Sequence, residues 1–410
     1  MSEVYELPEG WEWKKLDDCT DLITKGTTPT TYGYEFLDKG INFLKIENII
    51  NGKINLGSIE KFISEEANQS QKRSILQTND VLFSIAGTIG DTAIVEEKHL
   101  PMNTNQAIAI IRPKDFLDSS FLKQSLLSVV SHSTKKKQRG GAIKNISLGD
   151  IKNTDIPLPP LQEQKRIVAK LDSLFVKIDQ AIALHQQNID ESDAFMGTVL
   201  NEVFGELEER YGLTNFSKII EDKIQNGLYK HKDFYNNDGV NILRIDNFYN
   251  GRINDFGIKR LSLTNDELEK YSLKENDIVI NRVNSMEYLG KCAFVPKLAE
   301  PMVFESNMMR ISVLKENDPL YIVYMLQTEN IENQISKKAK RAVNQCSINQ
   351  TDVNTLNFPI PPLKTQQKTV QYLDQLSQKN QALKKVQQEK MQSLKDLKAS
   401  LLDRAFRGEI

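Results

Sequence analysis

The chain contains two related halves. Residues 40–55 read GINFLKIENIINGKIN and residues 239–254 read GVNILRIDNFYNGRIN, with nine of sixteen positions identical. The match continues at a nearly constant offset, so that ISLGDIKNTDIPLPPL (146–161) corresponds to INQTDVNTLNFPIPPL (348–363). A period near 200 residues is too long for a solenoid repeat. The sequence therefore predicts a duplicated domain.

Short β-rich runs bounded by turn residues occupy the first part of each half. Residues 43–46 precede Asn51-Gly52, a pair typical of hairpin turns, and Lys53-Ile54 follows it. Runs at 81–85, 92–95 and 107–111 predict further strands, and residues 116–130 predict a short helix. We expect a mixed α/β first lobe at residues 1–158 and a second lobe at residues 207–360.

A long helix is predicted after each lobe. Prolines at 157, 159 and 160 should end the first lobe, since proline fits neither a strand ladder nor a helix interior. From Leu161, apolar residues recur in alternating three- and four-residue steps, which is typical of a coiled-coil seam. A second such segment runs from about 363 to 406, interrupted by Asn380 and Lys390.

Each apolar stripe needs a partner, and the simplest partner is the other helix, packed antiparallel. The predicted fold class is α+β: two duplicated mixed α/β domains joined by two long antiparallel coiled-coil helices at 159–206 and 361–410. The first helix, over 161–204, would be about 65 Å long.

Composition limits the possible functions. A chain of 410 residues suggests two or three domains, and a net charge of −2 gives no global sign of a nucleic-acid partner. No apolar run approaches the roughly 18 residues of a membrane span, and the N-terminus lacks the features of a signal peptide. The three cysteines form no CxxC pair. We expect a cytoplasmic protein without disulfides, metal or membrane.

The proline-rich exits carry a family resemblance. LPEGWEWKKLDD near the start, GGAIKNISLGDIKNTDIPLPPLQEQKRIVAKLDSL in the middle and its diverged copy at 342–376 resemble the specificity subunits of type I restriction–modification enzymes. The resemblance spans essentially the whole chain. The second copy departs from it in two places: Thr365 replaces Glu163, and no clear counterpart of LPEGWEW precedes Lys218.

The resemblance implies a non-catalytic, two-lobed DNA reader. Each lobe would be a target-recognition domain that reads one half of a split, asymmetric site in double-stranded DNA. The helices would set the spacing and dock two modification (methyltransferase) subunits, and restriction (motor and nuclease) subunits would complete the enzyme. S-adenosylmethionine, ATP and Mg would bind to those partner subunits, with adenine as the methylated base.

The residues give no catalytic centre that contradicts this. There is no GxxxxGK[ST] phosphate loop. NFPIPPL (357–363) is superficially similar to the NPPF-type motif of amino-methyltransferases, but Phe358 and Ile360 break it. The four histidines show no metal-ligand spacing.

Basic clusters precede both proline exits, at 133–145 and 336–349. Such runs are usually solvated surface, but their duplication favours contacts with DNA phosphates. The residues proposed to contact phosphates are Lys135, Lys136, Lys137, Arg139, Lys337, Lys338, Lys340 and Arg341. Base reading needs paired donors and acceptors, and the candidates are Asn105, Gln106, Asn145, Arg282, Asn307, Asn344 and Gln345.

The long helices are the predicted docking surface for partner subunits. Two helices packed against each other would leave lateral apolar residues partly uncovered, and such patches mark partner sites. Ile167, Leu174 and Leu376 are the predicted partner-binding residues.

Two other functions stay open on the sequence. A self-sufficient modification or restriction enzyme would cleave or methylate DNA alone. A coiled-coil scaffold with protein-binding lobes would show no salt-sensitive, sequence-selective DNA binding in its assembled complex.

Overall fold

The computed structural model describes residues 5–137, 146–254, 256–343 and 345–410, and it gives the backbone but not the side chains of 129–137. The chain folds into two compact units, one of residues 1–185 with 389–410 and one of residues 186–388. The unit boundary thus falls within the long helices, and each unit contains one lobe with part of both helices. No helix in the described ranges has the length and apolar character needed to cross a membrane.

The first lobe is a mixed α/β structure, as predicted. Its strands are β1 (Glu12–Lys15), β2 (Thr20–Lys25), β3 (Ile41–Leu44), β4 (Ile49–Ile50), β5 (Lys53–Ile54), β6 (Phe62–Ile63), β7 (Val81–Ser84), β8 (Thr92–Ile94), β9 (Met102–Thr104), β10 (Ile108–Pro113) and β11 (Asp155–Leu158). Its helices are α1 (Glu65–Ser70), α2 (Ser119–Lys137) and α3 (Leu148–Lys152), and the first long helix is α4 (Leu161–Tyr211).

A four-stranded antiparallel sheet in the order β2-β10-β7-β8 forms the centre of the first lobe. Successive side chains of a strand point to opposite faces, so Val81 and Phe83 pack with Phe121 of α2, whereas Leu82 packs into a separate apolar cluster on the other face. Burial of each such side chain contributes about 1.5–3 kcal/mol. The sheet is therefore covered on both faces.

Small sheets complete the lobe. Strand β3 pairs antiparallel with β6 and parallel with β9, and β1 pairs with β11. The predicted hairpin at Asn51-Gly52 is confirmed, with φ values of 51° and 72°. Its first strand is β4 rather than residues 43–46, because the chain turns through Ile46–Asn48. Pro157 was expected to end the ladder but lies in edge strand β11 opposite Trp13, a place where proline is tolerated.

The second lobe repeats this architecture. Its strands are β12 (Thr214–Asn215), β13 (Gln225–Asn226), β14 (Tyr235–Asn236), β15 (Val240–Leu243), β16 (Phe248–Tyr249), β17 (Gly251–Ile253), β18 (Lys259–Leu261), β19 (Ile278–Asn281), β20 (Val283–Asn284), β21 (Cys292–Phe294), β22 (Met302–Phe304), β23 (Met308–Ile311), β24 (Lys340–Ala342), β25 (Gln345–Ser347) and β26 (Asn357–Phe358). Its helices are α5 (Asn265–Tyr271), α6 (Pro319–Leu326), α7 (Glu329–Lys338) and α8 (Gln350–Asn354), and the second long helix is α9 (Leu363–Phe406).

The strand pairings confirm the duplication. The central order β13-β23-β19-β21 repeats β2-β10-β7-β8, and β15 pairs with β18 and β22 as β3 pairs with β6 and β9. Strand β12 pairs with β26 as β1 pairs with β11. It is the counterpart of the opening strand that the sequence did not reveal. A sheet in the order β20-β25-β24 has no equivalent among the described residues of the first lobe.

A buried glutamine joins each lobe to its long helix. The Gln164 side chain is fully buried, its Oε1 accepts a hydrogen bond from Asp118 N (2.8 Å), and its Nε2 donates to the carbonyls of Phe116 and Pro159 (both 2.9 Å). This is the physical role of the glutamine in the PLPPLQEQ exit: it ties the first turn of α4 to the start of α2.

Gln366 does the same in the second unit. Its Oε1 accepts from Asp318 N (2.8 Å), and its Nε2 donates to Asn317 Oδ1 (3.1 Å) and to the Pro361 carbonyl (2.8 Å). We call these two residues the junction glutamines. Because their Oε1 atoms bind the main chain at the beginning of α2 and α6, each long helix starts at a fixed place on its lobe.

The two long helices pack antiparallel within each unit, as predicted. In the first unit, Lys398 Nζ lies 2.7 Å from Asp179 Oδ1. In the second unit, Lys384 pairs with Asp193, and the buried Asn380 donates through Nδ2 to the Ser192 carbonyl (2.8 Å). Buried polar pairs of this kind specify the register of packed helices.

The far end of each helix packs on a lobe. Phe406 of α9 meets Phe121 of α2 with ring centroids 5.2 Å apart, and Phe204 of α4 meets Tyr321 of α6 at 5.1 Å. Helix α4 accordingly continues to Tyr211, past the predicted end at 206, and α9 lies within the predicted segment 361–410. Each lobe thus holds the start of one long helix and the end of the other.

Replacing Gln164 with Leu is expected to destabilise the first unit by about 2–4 kcal/mol, because the Asp118 N–H and two carbonyls lose their buried partner. Gln162→Leu, at an exposed position in the same turn, should change stability by less than about 0.5 kcal/mol. A chain with two units need not unfold in one step. Hydrogen exchange across α2 is therefore the suitable measurement, and equal protection in both variants would contradict the role of the junction glutamine.

Candidate nucleic-acid interface

Several loops of the first lobe meet at one place through main-chain hydrogen bonds. Thr27 N donates to the Thr104 carbonyl (3.2 Å), and Ile85 N donates to the Ala107 carbonyl (2.9 Å). Ile146 N donates in turn to the Ile85 carbonyl (3.0 Å). The loops that follow β2, β7 and β9 therefore lie together with the chain that enters α3. We call this place the loop cluster.

Two predicted base-reading residues belong to this cluster. Asn105 Oδ1 accepts from Ala107 N (3.2 Å) and so shapes the turn after β9. Gln106 is exposed, and its Oε1 accepts from Thr28 Oγ1 (2.5 Å). Gln106 is therefore the better placed of the two for an external partner.

The first basic cluster is only partly described. Lys135, Lys136 and Lys137 are the last residues of α2, but their side chains lie outside the description. Arg139 and Asn145 are likewise outside the described residues. The description resumes at Ile146, which is bonded to the loop cluster.

The second lobe repeats the loop cluster bond for bond. Arg282 N donates to the Asn307 carbonyl (2.8 Å), and Ile348 N donates to the Arg282 carbonyl (2.9 Å). Leu228 N donates to the Phe304 carbonyl (2.8 Å). Arg282 and Asn307, both predicted from the sequence, are thus neighbours, and Arg282 occupies the place that Ile85 has in the first lobe.

Arg282 is the polar centre of the second loop cluster. Its Nη1 donates to the Ser306 carbonyl (3.1 Å), but its buried Nε has no partner among the described residues, and neither has Oδ1 of the adjacent Asn281. Unpaired buried polar atoms cost free energy. Arg282 and Asn281 therefore keep unused hydrogen-bonding capacity at the centre of this cluster.

The second basic cluster lies beside this centre. Strand β25 pairs with β20, which follows Arg282 directly, and β24 forms the outer edge of the same sheet. Lys337, Lys340, Arg341 and Gln345 are exposed. Lys338 is half-buried and donates to Thr355 Oγ1 (2.9 Å). Asn344 lies outside the described residues.

The exposed cations of this cluster have no acidic partner among the residues that the structure describes. Lys337, Lys340 and Arg341 form no salt bridge within the described part of the chain. Lys230 differs, because its Nζ is 2.7 Å from Glu267 Oε1, and this bond lowers the pKa of the Glu267 carboxyl. Cations without an intramolecular partner are available to phosphates.

A groove between the helices of the second unit carries one predicted partner-binding residue. Leu376 is half-buried and lines the groove together with Phe195 and Leu383, which are 47% and 48% exposed. Leu174 is also half-buried, in the first unit. The expectation that Ile167 stays partly uncovered is wrong: it is fully buried in the core of the first unit, because the lobe covers the side of the helix that the partner helix leaves open.

Sequence reasoning missed two features of the site. The sheet β20-β25-β24 is formed by two-to-three-residue strands, too short for a periodic signal, although the loop 281–290 is three residues longer than its counterpart 84–90. That extra length was the available signal. Sequence reasoning did not single out the groove residues Phe195 and Leu383, because each helix was expected to be covered by the other.

The sequence matches the profile of the type I restriction modification DNA specificity domain over residues 8–191 and 213–391. These two matches cover most of the chain. The chain belongs to the family of type I restriction–modification specificity subunits. The duplicated loop cluster therefore belongs to a DNA-binding protein with two target-recognition domains, and the resemblance seen in the proline exits is confirmed.

Similar proteins agree along the whole length. The EcoKI specificity subunit of Escherichia coli strain K12 is 26% identical over 427 residues, covering 99% of this chain and 90% of the relative. The StySPI specificity subunit of Salmonella potsdam is 26% identical over 425 residues, again covering 99% and 90%.

Two solved structures show the same fold. A chain from work on complex assembly and conformational transition of the type I R-M system superposes with a TM-score of 0.77, 24% identity and coverage of 99% of this chain and 100% of that chain. The HsdS subunit from Thermoanaerobacter tengcongensis gives a TM-score of 0.55, 23% identity and coverage of 100% and 99%.

Replacing Lys337, Lys340 and Arg341 together with Ala should weaken DNA binding by the assembled complex at every sequence, because phosphate contacts carry little sequence information. If each cation contacts one phosphate, the negative slope of log K against log salt concentration should become less steep by about 2.7. The matched control replaces Lys297, Lys315 and Lys364, three exposed lysines of the same unit. If the triple variant Lys337→Ala, Lys340→Ala and Arg341→Ala leaves this salt dependence unchanged, the cluster does not contact DNA phosphates.

Proposed function

We propose that each lobe reads one half of a bipartite, asymmetric site in double-stranded DNA through its loop cluster. The observation that supports this most strongly is the duplicated set of main-chain bonds, which holds equivalent loops with different side chains. Ile85 in one lobe corresponds to Arg282 in the other. A shared scaffold with different loops is what two different half-sites require.

The chain would contribute recognition and no chemistry. The proposed complex contains two modification subunits, which methylate adenine, and restriction subunits with motor and nuclease activity. S-adenosylmethionine, ATP and Mg would bind on those partners, and the complex would act in the cytoplasm, where its DNA lies. Lys337, Lys340 and Arg341, which form no salt bridge with any described residue, support a polyanionic partner despite the net charge of −2.

The long helices are proposed to set the distance between half-sites. Contacts at both ends of the helices support this proposal. The junction glutamines fix where each helix starts on its lobe, and Phe204 and Phe406 fix where each helix ends. A helix held at both ends is a rigid spacer of about 1.5 Å per residue.

The groove at Phe195, Leu376 and Leu383 is proposed to dock a modification subunit. Its cavity of about 570 Å³ is open and lies between the two helices. The polar residues Asn188, Glu191, Lys379 and Gln387 also line it, and an apolar centre with polar surroundings is the usual anatomy of a protein interface.

Single-base mapping of methylated adenines in the host genome tests the proposed function. The expected result is one split, asymmetric motif that disappears when this gene is deleted. Purified chain that methylates or cleaves DNA alone would instead indicate a self-sufficient enzyme. An assembled complex without sequence-selective, salt-sensitive binding would indicate a protein scaffold.

Adding four residues to each helix, after Gln186 and after Lys390, should lengthen the spacer between half-sites by about two base pairs. Four residues extend a helix by about 6 Å, and DNA rises by about 3.4 Å per base pair. Both insertions are needed, because the ion pairs Asp179–Lys398 and Asp193–Lys384 place these positions opposite each other. Four residues nearly complete one turn, so the seam can re-form.

The control for this spacer variant inserts four residues in α4 alone. That change shifts one helix against the other, breaks the Asn380–Ser192 bond and should reduce methylation without giving a new spacer. Methylome mapping reads both variants. Half-sites that change while the spacer stays fixed would refute the spacer role.

Replacing Phe195 and Leu383 with Asp should weaken binding of the modification subunit at least tenfold, because large buried apolar side chains dominate interface energies. Gln378→Asp, at an exposed position of α9, the helix that contains Leu383, adds charge without removing apolar surface and should have little effect. Calorimetric titration of the subunits decides this, and equal affinities in both variants would place the docking surface elsewhere.

A further inference from the structure

The second lobe has one recognition element without a described counterpart in the first. Strands β24 and β25 form an antiparallel two-stranded ribbon, and β25 also pairs with β20. Strand β20 lies in the loop 281–290, which is three residues longer than its equivalent 84–90. The ribbon (residues 340–343 and 345–347) is therefore held by the segment in which the two lobes differ.

The register of the ribbon defines its outward face. Ala342 pairs with Gln345 and Arg341 pairs with Cys346. Directly paired residues point to the same face, and neighbours along a strand to opposite faces. Because Cys346 is buried whereas Ala342 and Gln345 are exposed, the face that carries Ala342 and Gln345 is turned away from the core.

The end of the ribbon is apolar within a basic surrounding. Val343 is 93% exposed and follows the exposed Ala342. Lys337, Lys340 and Arg341 stand close by in the chain, exposed and without ion pairs in the described residues. Cations beside a small apolar end match a duplex, whose phosphates flank grooves lined by base edges.

The size of the ribbon also fits a duplex. The major groove, about 12 Å wide, admits a two-stranded β-ribbon, and paired strands lie about 4.8 Å apart. The minor groove is only about 6 Å wide, and readout there hardly distinguishes more than A·T from G·C. Among double-stranded targets, the geometry thus favours the major groove.

We infer that this ribbon enters the major groove of the half-site read by the second lobe and reads an A·T base pair there. Gln345 binds the adenine, and Ala342 with Val343 contacts the thymine methyl group. The inference rests on the proposed function of the second lobe and adds to it which element and which base pair are used.

The side chains on this face of the ribbon match the groups that an A·T base pair presents in the major groove. Adenine offers the N7 acceptor and the N6 amino donor to the major groove, and a glutamine amide carries one donor and one acceptor to meet them. The paired thymine presents its methyl group in the same groove, and alanine is among the residues that contact it. Cross-strand neighbours such as Ala342 and Gln345 have Cβ atoms about 5 Å apart, so both can address one base pair.

Base analogues in the mapped recognition site test the inference. In the assembled complex, each thymine is replaced by deoxyuridine, which lacks the methyl group, and each adenine by 7-deazaadenine, which lacks N7. We expect one A·T pair of one half-site at which both replacements weaken binding, the second by roughly fivefold or more. Gln345→Ala should abolish the 7-deazaadenine penalty, and Ala342→Gly with Val343→Gly should abolish the deoxyuridine penalty.

Matched controls are Asn333→Ala and Phe256→Ala, which alter exposed residues of the same unit outside the ribbon and should leave both penalties intact. Penalties that persist in the ribbon variants, or the absence of such an A·T pair with the unaltered protein, would overturn the inference while selective binding survives. Loss of all sequence selectivity in the unaltered complex would overturn the proposed function itself. Retained penalties at other base pairs of the same half-site show that the second lobe of each variant is folded.

Discussion

The hydrogen bonds of the junction glutamines hold each lobe to the long helix that follows it. Gln164 and Gln366 are almost wholly buried, and each satisfies both its amide groups on the lobe that precedes its helix. A buried amide left unpaired would cost about 1–3 kcal/mol for each group. Moving the helix on the lobe would therefore cost a large free energy of desolvation. As a result, the lobe holds its loop cluster at a fixed position relative to the start of the helix.

The same scaffold supports two different surfaces. In both lobes, three main-chain bonds gather the loops, so the backbone geometry does not depend on which side chains the loops bear. Side chains are then free to differ: Gln106 bonds to Thr28 in the first lobe, whereas Arg282 forms the centre of the second. The short sheet β20-β25-β24 extends this difference, since β20 lies in the loop 281–290, which is three residues longer than its counterpart 84–90.

The sequence predicted the architecture well because its signals are local or repeated. Asn51-Gly52 predicted a hairpin since both residues adopt positive φ, and the proline exits and apolar stripes predicted α4 and α9. The errors arose where tertiary packing decides. Ile167 was expected to be partly uncovered from the helix pair alone, but the lobe buries it. Pro157 was expected outside a strand ladder, but it lies in an edge strand. The role of the junction glutamines is invisible in sequence, because their partners at the start of α2 and α6 lie 46 to 49 residues away.

The junction glutamines also bear on how such a gene can change over time. Gln164 binds the lobe through main-chain atoms of Asp118, Phe116 and Pro159, and Gln366 does so with one side-chain exception, Asn317. Main-chain atoms are the same whatever the residue. An exchange of the coding segment of a whole lobe by recombination would therefore preserve the bonds at the start of its long helix. Only the side chains that pack on the end of the other helix, such as Phe121 and Tyr321, would have to be matched in the incoming lobe.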